Sequence, residues 1–133
     1  MAQKDRISLP TYLSAKSSAT AFNGAWVNID GIDNVSFQAV WANGVHGVFG
    51  FDVSNDGPLS DAQPGQPSGT LGPTPLTLPS SMTGASATPS GSGASSFSFE
   101  FTQMSEKWIR MNWTPDGGGS SGNISTGVSG KAI

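Results

Sequence analysis

"VSFQAVWANGVHGVFGFDVSND", residues 35–56, places apolar residues at alternate positions on both sides of Asn43-Gly44. Such alternation marks half-buried strands, and Asn-Gly supplies the positive φ that a tight reversal needs. The register of the predicted hairpin follows from its faces. A two-residue turn would set Phe37 against Gly50 and Ser36 against Phe51, mixing polar and apolar residues on each side. A three-residue loop, Asn43-Gly44-Val45, instead pairs Trp41 with Gly47, Ala39 with Phe49, Phe37 with Phe51 and Val35 with Val53. Every large apolar side chain then shares one face. The other face, Asn34, Ser36 and Gln38 against Ser54, Asp52 and Gly50, is polar apart from Val40 and Val48.

The pattern recurs in "SFSFEFTQMSEKWIRMNW", residues 96–113. A loop at Met104-Ser105-Glu106 sets Phe101 against Ile109, Phe99 against Met111 and Phe97 against Trp113, and it brings Glu100 opposite Arg110 on the reverse face. Two amphipathic hairpins bury their apolar faces most simply against each other. The expected fold is therefore all-β: one antiparallel, jelly-roll-like β-sandwich over residues 1–133. Its predicted core is Phe37, Phe49, Phe51, Phe97, Phe99, Phe101, Ile109, Met111 and Trp113. Weaker strand signals cover residues 7–13, 24–29, 76–78 and 123–128. In this register Trp108 lies opposite Thr102 on the polar face, a large aromatic displayed where the fold does not need it. Trp108, Arg110, Glu100, Val40 and Val48 thus form the candidate partner interface. The alternative is that Trp108 packs beneath another segment of its own chain.

Composition narrows the function. Only 11% of the 133 residues are charged, against about 25% in an ordinary soluble domain, so Ser, Thr, Asn, Gln and Gly must form the surface. With a net charge of -3 there is no basic stripe for phosphates, and no nucleic-acid partner is expected. The absence of cysteine removes disulfides, thiolate metal sites and cysteine nucleophiles together. The opening "MAQKDRISLP" carries Lys4, Asp5 and Arg6 with no apolar run behind them, so neither a signal peptide nor a membrane partner is expected. Between the hairpins, residues 57–94 hold seven of the nine prolines amid Gly and Ser, a surface excursion that is either a linker or an arm ordered on a partner. Residues 1–20 read as a possible second arm.

Residues suited to chemistry are scarce. His46 is the one histidine, and the nearby sequence offers Asn43 but no carboxylate to orient it, so it reads as a turn-edge residue. Asp30 and Asp33 flank a predicted turn. Asp52, Asp56 and Asp61 surround "SNDG", which invites comparison with calcium loops but lacks the bidentate Glu of an EF-hand; a turn closed by Asn55, Asp56 and Gly57 is the default reading. The glycines Gly117 to Gly119 lack the Lys-Ser/Thr of a phosphate loop and read as a strand connection. No catalytic residue, metal or cofactor is expected.

The "VSFQAVW…GVFGFDVSNDG" segment, the "KWIRMNWTP" strand, the glycine-rich turn and the final "SGKAI" together resemble a class of small structural proteins of tailed-phage virions. The resemblance covers roughly residues 32–57 and 105–131. It implies a β-sandwich that is not an enzyme, decorating or cementing a capsid or sitting at a collar or tail. The implied partners are the major capsid protein and further copies of this chain, a trimer preferred. The implied location is the virion, assembled in the host cytoplasm. The long excursion departs from the family pattern and leaves head and tail locations both open. A receptor- or carbohydrate-binding module is the other class of function, for which exposed Trp and amide side chains would serve as a platform.

Overall fold

The structure, a computed structural model, describes residues 6–42, 44–60, 63–90, 95–116 and 120–132. Two antiparallel sheets pack face to face. The first, sheet A, holds β1 (Arg6–Ser17), β4 (Asn34–Trp41), β9 (Ser95–Phe101) and β11 (Asn123–Lys131) in the order β1-β11-β4-β9. Sheet B runs from two short edge pieces, β2 (Phe22–Asn23) and β3 (Val27–Asn28), through β10 (Trp108–Pro115) and β5 (Gly47–Ser54) to β8 (Thr74–Pro75). A separate hairpin, β6 (Gly57–Ser60) and β7 (Gln63–Ser68), is inserted between β5 and β8. With β2 and β3 taken as two pieces of one edge strand, the chain changes sheet at every step around the sandwich except from β5 to β8, which is jelly-roll connectivity.

The two predicted hairpins are not hairpins. β4 pairs with β9, Phe37 opposite Phe99 and Val35 opposite Phe101, while β5 pairs with β10, Phe51 opposite Met111 and Phe49 opposite Trp113. Each predicted hairpin is an arch whose two arms belong to opposite sheets. The physical reason is that a period of two fixes which side chains face inward but not which strand lies alongside. Swapping partners leaves all the phenylalanines aimed at the same interior. The Asn-Gly reversal still uses its glycine: Gly44 has φ +87°, and its carbonyl accepts the Ser121 and Gly122 N–H groups, tying the arch to the segment that leads into β11.

The core matches its predicted membership with one exception, since Phe97 is only partly buried. Rings from the two sheets interleave: Phe51 meets Phe37 and Phe101 edge to face at 5.0 and 4.9 Å, and Phe99 tilted at 5.1 Å. Such contacts add about 0.5–1.5 kcal/mol each beyond area burial. They suit a chain with few apolar residues to bury.

The two expected arms pack on the chain's own sandwich. β1 is an edge strand laddered to β11 and buries Ile7 and Leu13. Its low apolar content is that of a strand ordered by backbone hydrogen bonds. Residues 1–5 lie outside the described residues. In the excursion, Leu76, Leu78 and Met82 pack against the core and Ala87 is within it, so its described part is neither a linker nor an arm awaiting a partner. The strand expected at 76–78 is displaced to β8, and that expected at 24–29 is reduced to β3, with β2 just before it.

Candidate interaction surface

Side chains alternate along each strand, so every sheet has an outer face. On sheet A it is formed by Ser125, Gly127 and Ser129 of β11, Ser36, Gln38 and Val40 of β4, and Ser96, Ser98 and Glu100 of β9. Apart from Gln38, Val40 and Glu100 these are hydroxyls and hydrogen, and the result is a low, uncharged surface. Ser36 and Ser98 hydroxyls meet across the ladder at 3.2 Å. Charge collects at one end, where Arg6, Lys131 and Glu100 line a groove of about 440 Å³ together with Asn34, Ser36 and Phe101. The Asn34 Oδ1 atom is buried there without a hydrogen-bond partner.

The outer face of sheet B is built differently, because its own chain covers it. Trp108, Arg110, Asn112 and Thr114 alternate outward on β10, and Val48, Gly50, Asp52 and Ser54 oppose them on β5. Arg110 Nε donates to Asp52 Oδ2 at 2.9 Å, and its guanidinium lies 4.4 Å from the Trp26 ring. Asn112 lies over Gly50, where a Cβ would fall 2.5 Å from the amide oxygen. Trp108 is 1% exposed, and its indole N–H donates to the Asp56 carbonyl at 2.8 Å. Its strand is flanked by β3 and β5. The β6–β7 hairpin leaves the end of β5 and packs its second strand on β3, so it bridges over Trp108.

Asp56 holds this bridge closed. Its buried carboxylate accepts the Leu71 N–H at 3.1 Å and the Gly72 N–H at 2.8 Å, and its own N–H donates to Ser54 Oγ at 3.1 Å. One side chain thus ties both ends of the excursion's first loop. At the opposite edge of sheet B, the break between β2 and β3 leaves that side of β10 without a strand partner at Arg110 and Met111. Tyr12 fills the gap: its hydroxyl donates to the Ala25 carbonyl at 2.5 Å and accepts the Met111 N–H at 3.2 Å. Burial pushes the Tyr12 phenol up to about 12, opposed by the Met111 hydrogen bond and the charge of Arg110. Gly24 is required beside it, since a Cβ there would land on the phenol oxygen.

The five residues expected to form one interface are therefore dispersed. Trp108 is interior, a correction that follows from the excursion folding back over it. Glu100 and Val40 lie on the outer face of sheet A, whereas Arg110 and Val48 lie on that of sheet B. The predicted Glu100–Arg110 pair does not form, because those strands are in different sheets and Asp52 is the neighbour in register. Val40 and Val48 are exposed, at 44% and 52%, on opposite sides of the molecule. Among the described residues, no group of three His, Cys, Asp or Glu side chains could hold a metal ion. Asp61 lies outside them, as do Asn43 and Gly117 to Gly119. His46 is half-buried beside the arch, its N–H held by Ser120 Oγ at 3.0 Å. The sequence reading missed Tyr12, Trp26 and the Asp56 clamp, whose partners are remote in the chain.

No family model, no curated protein and no solved structure matches the chain.

Proposed function

We propose that this protein is a structural component of a tailed-phage virion, most specifically a decoration or cement protein that binds the capsid surface. The observation that carries the reading is the outer face of sheet A, three strands of short hydroxyl, glycine and amide groups with charge confined to one end. Such a surface binds by shape over area and offers little to hold a reacting molecule. The jelly-roll connectivity is compatible with the reading but does not select it, since the same fold serves capsid and lectin domains alike. The sequence resemblance supplies the partners: the major capsid protein and further copies of this chain.

A receptor- or carbohydrate-binding role at a collar or tail is favoured by a separate observation. Trp26 is half-buried on Arg110, and two residues further along β10 Asn112 pairs with Asn23 at the same edge of sheet B. Electron microscopy of particles labelled on this protein separates the two. Many copies over the head are expected for decoration, a few at one vertex for the second role, and none on the particle would overturn both.

A further inference from the structure

A sheet edge is a row of unpaired backbone groups, and proteins that remain monomeric block such rows with bulges, prolines, charges or short strands. Among the described residues, two sheets present four edges, and three are blocked. β1 carries Pro10, Arg6 and Lys16, two breaks in register and a positive φ of 49° at Ala15. β2 and β3 are two residues each, split by the bulge that displays Trp26. β8 is two residues long and set among Pro73, Pro75 and Pro79. β9 is the least protected: it runs seven residues, "SSFSFEF", in unbroken register with β4, without proline or a basic side chain; Glu100 is its one charge, and the short turn Ala85–Ala87 touches it without forming a ladder.

We infer that β9 is the docking edge for a second copy of this chain, paired antiparallel about a two-fold axis at Ser98. Full overlap of the strand requires this register, because Ser98 is its midpoint. Ser96 then opposes the partner's Glu100, and Phe97 opposes the partner's Phe99. The parity is right, since inward residues meet inward residues and the two cores become continuous. Phe97 is the inward aromatic of β9 that its own fold leaves partly exposed, while Phe99 and Phe101 are buried. A cross-strand ring completes its burial. The charges agree as well: the two Glu100 side chains stand about 13 Å apart along the strand, beyond the ~8 Å screening length at physiological salt. A pair of identical strands closes on itself, so this contact gives a dimer in place of the trimer that the family resemblance implies. The inference concerns the isolated protein and does not depend on the virion reading.

The test uses one charge placed at two neighbouring exposed positions. Ser98→Lys sets two ammonium groups opposite each other at the axis, whereas Ser96→Lys sets each ammonium against the partner's Glu100. Sedimentation of the purified full chain should show a dimer whose Kd rises roughly fivefold or more in Ser98→Lys and falls in Ser96→Lys. Mixing Ser98→Lys with Ser98→Glu should restore the dimer, which also controls for a folding defect in either variant. Wild-type protein that stays monomeric at millimolar concentration overturns the inference. So does a Kd that moves in the same direction, or not at all, in the two lysine variants.

Discussion

Trp108→Ala tests whether the Pro/Gly-rich excursion is part of the fold. Trp108 stands on the outer face of sheet B, outside the main aromatic cluster, and is nevertheless 1% exposed with its N–H bonded to the Asp56 carbonyl. Truncating a buried Trp costs about 3–5 kcal/mol, the lower end applying where neighbours can collapse into the space. Loss of the indole donor leaves the Asp56 carbonyl unpaired and pushes toward the upper end. For 133 residues, an unfolding entropy of about 2.1 cal/mol/K per residue converts this into a Tm lowered by about 10–18 °C. Trp108→Phe, which keeps a ring and drops the donor, is expected between the two. The assay is thermal unfolding followed by circular dichroism, with Val48→Ala as the control on the same face. Val48 is 52% exposed, and its truncation should cost within about 0.5 kcal/mol. A Trp108→Ala protein that melts within about 2 °C of wild type would refute the covered position.

Asp56→Ala strips the acceptor from two N–H groups and should cost about 2–4 kcal/mol, while Asp56→Asn, which turns an amide donor toward one of them, should fall at about half of that; urea unfolding measures both. Tyr12 is the only tyrosine, so ultraviolet titration of the folded protein reads its ionisation directly, expected near pH 12 and not near 10. Because the folded phenol holds its proton more tightly than the unfolded one, its contribution is complete below about pH 10 and lost as pH rises through 12. Tyr12→Phe should remove that slope from Tm measured against pH. Val40→Lys and Val48→Lys place one charge on each outer face and should leave Tm unchanged. If sheet A meets the capsid, only Val40→Lys should weaken particle binding, by ~30-fold or more for an unpaired buried ammonium; an effect confined to Val48→Lys would move the contact to sheet B.

The inward face was legible in the sequence and the strand order was not. Phe37, Phe49, Phe51, Phe99 and Phe101 reach the interior whether their strands pair as hairpins or as arches, because alternation carries no information about the neighbour. The apparent agreement of Glu100 with Arg110 misled for the same reason. Arg110 needed an acid in register, and the exchange of partners supplied Asp52 in place of Glu100. Trp108 was read correctly as standing on the outer face, yet what covers it is set by a hairpin whose sequence carries turn residues and no alternation. Asp56 reaches N–H groups 15 and 16 residues away, and Tyr12 one that is 99 residues away. No local pattern encodes contacts of that span.

The unequal finish of the two sheets bears on how the molecule could meet a partner. Sheet B has its outer face covered by its own chain: the hairpin over Trp108, Trp26 on Arg110, and Asn112 over Gly50. Its side chains are already engaged with one another, and contact there would break an ion pair or displace a ring. Among the described residues, sheet A is covered along β1, where Pro10 lies over Gly127 and the Ala15 N–H bonds Ser125 Oγ, while β4 and β9 are left bare. Ser36, Ser96 and Ser98 leave the backbone of β4 and β9 near the surface, so a partner could approach closely without displacing long side chains. Little rotamer entropy is lost when Ser or Gly is buried, in contrast to the long side chains that usually line a protein surface. The open edge of β9 borders this same face, and a two-fold pairing there would place two such faces side by side in one continuous sheet. A bare face doubled in area is suited to a broad, repetitive surface, where each contact is weak and two engaged together dissociate far more slowly than one.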